Sequence, residues 1–172
     1  MSAAPSLEDA VTAWIAHRLA GAVGGVPVEG ATASPEETLA ALPTAERPVV
    51  ADIVRRIVVG APADPAMRAG AREVDPGVFA TCTRAFVRSQ PVALLYEDAG
   101  GRVSERRVQP HGLMVRPPLW YVLGFDLRKD GARRFRLDRM HSAHFMIGPR
   151  FEPKQPSELF DDLEGTTFDL FG

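Results

Sequence analysis

The chain has 172 residues, 45% of them hydrophobic and 24% charged, with a net charge of -2. These are the proportions of a globular domain with a real core, and they exclude a disordered or low-complexity chain. One cysteine, Cys82, excludes an intrachain disulfide framework; no apolar run approaches the roughly 18 residues of a membrane span, and MSAAPSLEDAV lacks the pattern of a signal peptide, so a reducing, cytoplasmic setting is expected.

The first predicted helix covers 7–20. Ser6 is its N-cap with Asp9 three residues on, and Val11, Trp14, Ile15 and Leu19 recur at helical spacing. Gly21, Gly24 and Gly25 stop it, and a loop follows. SPEE at 34–37 opens a second helix, with Ser34 as N-cap, Pro35 at the first position and Glu37 as capping-box partner; Pro43 ends it. In 48–59 the residues Val49, Val50, Ile53, Val54 and Ile57 suit a helix, while Ile57–Val59 also suits a short strand. Residues 60–75 read as a linker. Asp75 and Pro76 then open another helix, and Cys82 lies on its apolar stripe as a small hydrophobe.

From residue 91 the period changes from helical to strand-like. VALLYED is a strand, DAGG a turn, and RVSERRVQP a returning strand stopped by Pro110. GLMVR, LWYVLGFD and ARRFRLDRM are three more, with RPP as a bend and RKDG as a turn. The expected fold class is α+β: a helical linker and dimerisation segment at 1–65, a lead helix and a small five-stranded antiparallel barrel at 75–152, and a tail at 153–172 that reads as the start of an extension. On that reading the chain is a fragment or a short form of a longer protein.

Charge is segregated. Residues 91–150 hold 11 Lys+Arg against 6 Asp+Glu, and the remainder holds 9 against 16. Within 116–140, Arg116, Arg128, Lys129, Arg133, Arg134, Arg136 and Arg139 surround the pair Trp120-Tyr121. Strand alternation puts Phe135 and Leu137 on one face and Arg134, Arg136 and Asp138 on the other. Arg133 and Arg139 share parity with Phe135 but sit at the strand ends, where a bulge can turn them outward. Trp120 and Tyr121 face opposite ways, so one is expected in the core and one at the surface. Guanidinium groups bind phosphate bidentately and aromatic rings stack on bases, so this grouping points to a nucleotide or single-stranded nucleic acid. His111, beside Pro110, is a further candidate contact.

The order of these motifs resembles the WYL domain, a regulatory module of bacterial transcription regulators. The resemblance rests on a strand ending in Tyr96, then Arg107, Val108 and Pro110, then Gly112-Leu113, then Trp120-Tyr121-Val122, and finally Arg133, Phe135, Arg136, Leu137, Asp138 and Arg139. It covers roughly 90–152 and departs from the name-giving triplet at Val122. It implies an Sm-like, SH3-type barrel that senses an anionic or nucleic-acid effector. It also implies a helix-turn-helix domain for promoter DNA; no such pattern precedes residue 6. The expected ligand-binding set is Tyr96, Arg107, His111, Trp120, Tyr121, Arg133, Arg136 and Arg139, with Arg107, Arg133, Arg136 and Arg139 converging on one anion site.

Other chemistry finds little support. His141 and His144 have no Cys, Asp or Glu at ligand spacing, no Gly-rich phosphate loop ends in Lys-Ser/Thr, and no nucleophile–base arrangement stands out. No metal, cofactor or enzymatic activity is expected. A homodimer is expected from the apolar stripe of residues 11–19. The alternatives are a stand-alone nucleic-acid-binding accessory protein and a protein-interaction module that pairs through an open strand edge.

Overall fold

A computed structural model describes residues 3–19 and 34–167. Helix starts fall where their caps place them. In α1 (Leu7–Trp14) the Asp9 amide donates to Ser6 Oγ at 3.2 Å, and the Ser6 amide donates to the Asp9 carboxylate at 2.7 Å. The helix continues as a π turn at Ile15–Leu19. Gly21, Gly24 and Gly25, the loop after them, and Phe168, Leu170 and Phe171 lie outside the described residues. α2 (Pro35–Ala41) carries the same reciprocal cap through Ser34 and Glu37. The ambiguous stretch becomes both of its readings in turn, α3 (Arg47–Arg55) and then β1 (Ile57–Val59). The predicted linker contains a one-turn helix, α4 (Pro65–Arg68), capped by Asp64. Asp75 caps α5 (Pro76–Arg88), which ends at Ser89 in the left-handed region.

Six more strands follow: β2 (Val92–Glu97), β3 (Val103–Arg116), β4 (Leu119–Asp126), β5 (Gly131–Arg136), β6 (Met140–Phe145) and β7 (Thr166–Thr167), with α6 (Pro156–Leu159) before the last. Two expectations need correction. Pro110 does not stop a strand: the two predicted strands around it form the single 14-residue β3. The proline is tolerated because the β3–β4 register shifts between Pro110 and Gly112, so His111 is an extra residue and no ladder bond needs the missing N–H. The bend lets the first half of β3 pair with β2 and its second half pair in parallel with β1. The predicted fifth strand, in turn, is broken by a 3-10 turn at Leu137–Arg139, which separates β5 from β6.

The sheet is therefore mixed and seven-stranded, with order β5-β4-β3-β1-β7, and β2 joins β3 to β6. It is open rather than a closed five-stranded antiparallel barrel, because among the described residues no ladder joins β5 to β6 and β5 forms a ladder with β4 alone.

One core spans helices and strands. Trp14, Ile15, Ile53, Phe79 and Phe86 pack with Leu94, Leu113, Trp120, Val122 and Phe135. The segment 1–65 thus shares its core with the strands and adds β1 to their sheet. A second cluster covers the opposite face: Val58, Met114, Leu119, Tyr121 and Leu123 lie under Phe160, Leu159, Leu163 and Met67. Gly112 permits that close layering, since a Cβ there would stand 2.7 Å from the Arg56 carbonyl oxygen and 2.8 Å from Pro156 Cγ. Among the described residues, no helix is long and apolar enough to cross a membrane.

Candidate anion-binding surface

Alternation along β4 divides the Trp-Tyr pair between the two clusters. Trp120 is 2% exposed in the main core, edge-to-face on Phe79 at 5.2 Å, and its indole N–H has no hydrogen-bond partner among the described residues. It is a core residue with no free face for a ligand. Tyr121 points to the other side, beneath the C-terminal segment, and lines a recess of about 310 Å³ with Met67, Met114, Arg116, Arg134 and Glu164. Burial raises its phenol pKa, partly offset by the charges of Arg136 and Arg116. Tyr96 is also buried, edge-to-face on Phe135 at 5.2 Å, and its hydroxyl accepts from the Arg136 amide at 3.2 Å.

Arg136 is committed internally. Its Nε and Nη2 donate to the two Asp138 carboxylate oxygens at 3.0 and 2.8 Å, and Nη1 donates to the Met67 carbonyl at 2.9 Å. Only 8% of its side chain and 4% of that of Asp138 are exposed. Burial alone would raise the Asp138 carboxyl. Hydrogen bonds from Arg136 and the Arg72 amide outweigh it, so the pKa lies below the usual value. Arg72 in turn clamps Glu97 at 2.9 and 3.0 Å, and Glu97 meets His141 Nε2 at 2.8 Å. This chain of charges ties β5, the 3-10 turn, β2, β6 and the 69–75 loop together.

His111, the extra residue of the β3 bulge, is 3% exposed. Its Nδ1 accepts from the Lys154 amide at 2.9 Å, its ring lies against Phe151 at 4.6 Å, and its carbonyl accepts from Arg56 Nη1 at 2.9 Å. Burial, then the charges of Arg56 and Lys154, push the imidazole down to about 4, so it is neutral and fixes residues 151–155 on the bulge. The buried Arg56 also stacks on Phe86 at 5.0 Å.

What remains accessible lies where the sheet stays open. Between the free edge of β5 and the β2–β3 hairpin is a depression of about 530 Å³, floored by Tyr96, Phe135 and Phe160 and rimmed by Arg106, Arg133, Arg134 and Arg139. Arg139 is half-buried and makes no hydrogen bond or ion pair among the described residues. The side chain of Arg133 is 51% exposed and only 3.9 Å from the buried Asp126, which binds Arg106 at 3.0 Å. Arg134 pairs with Asp162 at 2.9 Å and stacks over the Phe160 ring at 4.8 Å.

Of the four arginines expected to converge, Arg133 and Arg139 line the same depression, Arg136 turns inward, and Arg107 lies exposed on the outer face of the hairpin. Arg106 stands where Arg107 was expected. It shares parity with buried Val108, so alternation counted back from the core was the signal for it. Arg134 was also missed, because its relevance depends on Phe160 and Asp162, more than 25 residues downstream.

The family model that matches the chain is the WYL domain, over residues 77–145. Among solved structures the chain is similar to proteasome accessory factor B/C (PafBC) of Arthrobacter aurescens, with a TM-score of 0.47 and 22% sequence identity. The match covers 92% of this chain and 21% of that one, so the chain spans about a fifth of that protein's length. The model match begins one residue inside α5 and ends at the last residue of β6, taking in the open seam and its arginines, so residues 77–145 are similar to the WYL domain.

Proposed function

We propose that this chain is the ligand-sensing region of a transcription regulator and that the depression at the β5 seam binds an anionic nucleotide or a short single-stranded nucleic acid. The observation that carries the reading is the placement of Arg133 and Arg139, incompletely paired, around a floor of aromatic rings. Guanidinium forks suit phosphate, and the buried rings of Tyr96, Phe135 and Phe160 make an apolar floor beneath them. The strand path β6-β2-β3-β4-β5, with a 3-10 turn between β5 and β6, supports an Sm-like, SH3-type description of the module. The domain acts without catalysis and in the cytoplasm. Promoter contact belongs to a DNA-binding domain outside these residues; the apolar stripe of residues 11–19, from which a homodimer was expected, is buried in the chain's own core.

The test is a fluorescence-anisotropy titration with labelled oligonucleotides of about ten nucleotides, within the span that one small barrel covers, and with cyclic and linear nucleotides. The double variant Arg133→Ala/Arg139→Ala should fold and lose at least about ten-fold in affinity, as expected for two charged hydrogen-bonding groups. Absence of binding to the folded wild-type protein at low salt would sink the proposal. A second reading has its own observation: among the described residues β5 ends the strand path and ladders with β4 alone, which suits an added strand from a partner protein.

A further inference from the structure

The acidic C-terminal segment lies across the basic surface. Phe160 is 8% exposed and inserts below Arg134, while Asp162, its side chain 78% exposed, caps the same guanidinium from solvent. Arg134 and Asp162 line both the Tyr121 recess and the seam depression, so their ion pair is the partition between the two. Glu164 adds a second carboxylate to the Tyr121 recess. The segment is held at both ends and loosely in the middle. Upstream, His111 holds the Lys154 amide, and Pro156 packs on Gly112. Downstream, Gly165 lies so close to β1 that a Cβ would meet Val58 Cγ1 at 2.5 Å, and Thr166–Thr167 pairs with β1. Between these anchors, Asp161, Asp162 and Glu164 are exposed.

We propose that residues 160–165 are an autoinhibitory strap, in which the Asp162 carboxylate occupies the position on Arg134 that a ligand phosphate would take. The inference rests on the anion-binding reading above and adds a regulatory element to the same surface. A carboxylate and a phosphate compete for one guanidinium, since both present anionic oxygens to its N–H donors, here Arg134 Nη2 donating to Asp162 Oδ1 at 2.9 Å. A ligand that displaces Asp162 joins the Tyr121 recess to the seam, placing Arg116, Arg134, Arg133 and Arg139 along one groove with aromatic rings on both sides. An exposed carboxylate is held weakly enough for this exchange, and its hydrogen bond to Arg134 already lowers its own pKa, so it is charged throughout the neutral range.

Asp162→Asn removes the competing charge, and Asp161→Asn removes an equal charge one residue away with no bond to Arg134. With a labelled oligothymidylate of about ten nucleotides, Asp162→Asn should bind roughly two- to five-fold more tightly than wild type. Its salt slope should steepen by about 0.7, the mark of one added single-strand phosphate contact. Asp161→Asn should match wild type within about two-fold, and an Arg134→Gln background should abolish the effect of Asp162→Asn. If wild type binds and Asp162→Asn binds with the same affinity and slope, the strap is refuted while the ligand-binding surface stands. Equal gains from both Asn variants would reduce the effect to general charge and refute the strap. If neither wild type nor Asp162→Asn binds, both readings fall. Binding by Asp162→Asn alone would support the strap in its strongest form.

Discussion

Arg136 was read from sequence as a ligand contact, and its geometry predicts a different phenotype when it is lost. Arg136→Ala removes two charge-assisted bonds to Asp138 and one to the Met67 carbonyl. Asp138 is then left 4% exposed with the Arg72 amide as its remaining hydrogen-bond donor. Breaking a buried pair by removing one partner costs about 3–5 kcal/mol, a large share of the 5–15 kcal/mol typical of a domain. For a chain of this size that corresponds to a fall in Tm of roughly 6–20 °C. Urea unfolding followed by circular dichroism measures the loss directly. The apolar double replacement Arg136→Met/Asp138→Leu should recover most of it, because no uncompensated charge remains. Arg133→Ala, at a half-exposed side chain, should stay within about 0.5 kcal/mol of wild type. A loss below about 1 kcal/mol for Arg136→Ala would show that the pair contributes little and that Arg136 is free for ligand.

Three further outcomes are expected. His111 has a folded-state pKa of about 4 against an ordinary value near 6.5, so its contribution is full above pH 6.5 and is lost as pH falls towards 4; wild type should lose up to about 3 kcal/mol over that window beyond any loss seen in His111→Gln, measured by urea midpoints at several pH values. Tyr121→Phe should leave stability within about 0.5 kcal/mol of wild type by thermal denaturation, because the hydroxyl makes no hydrogen bond among the described residues and the ring keeps its packing. Gly124→Ala should cost about 1–3 kcal/mol in the same assay, since its Cβ would meet Val108 Cγ1 at 2.4 Å in a packed ladder.

Local signals were the most legible. Ser6, Ser34 and Asp75 each announced a helix start, because a cap is settled within four residues of sequence. The family motif was legible because its residues are spaced along consecutive strands. The shape of the sheet was less so. Pro110 reads as a strand stop until the bulge at His111 shows that its missing N–H costs nothing, and that depends on where β4 pairs. The parity of RRFRLDRM separated Phe135 from Arg136 correctly, yet it did not show that Arg136 would be buried. Its partners lie two residues away, at Asp138, and 69 residues back, at Met67. Likewise Tyr121 was expected at the surface if Trp120 was core, and the cover over it comes from Phe160 and Met67, distant in sequence. Residues whose surroundings are built by long-range packing carry no local sign of it.

The same distinction between committed and free charge sets how strongly the surface responds to salt. Seven basic side chains lie in 116–140, which read alone suggests a strongly electrostatic binder. The structure engages most of them: Arg116 donates to the Ala61 carbonyl, Arg128 to the Glu105 carbonyl, Arg134 to Asp162 and Arg136 to Asp138. Lys129 and Arg139 keep side chains without a hydrogen bond among the described residues, and Arg133 is held only at 3.9 Å by Asp126. Two or three phosphate contacts follow, and at roughly 0.7 per contact for a single strand the slope of log K against log salt should be about -1.4 to -2.1. Titrations between about 50 and 200 mM salt, the range over which phosphate contacts weaken most visibly, measure it. A slope near -5 would mean that all seven side chains reach phosphate, which requires Arg136 to abandon Asp138 and would overturn the assignment of that pair as a fixed part of the fold.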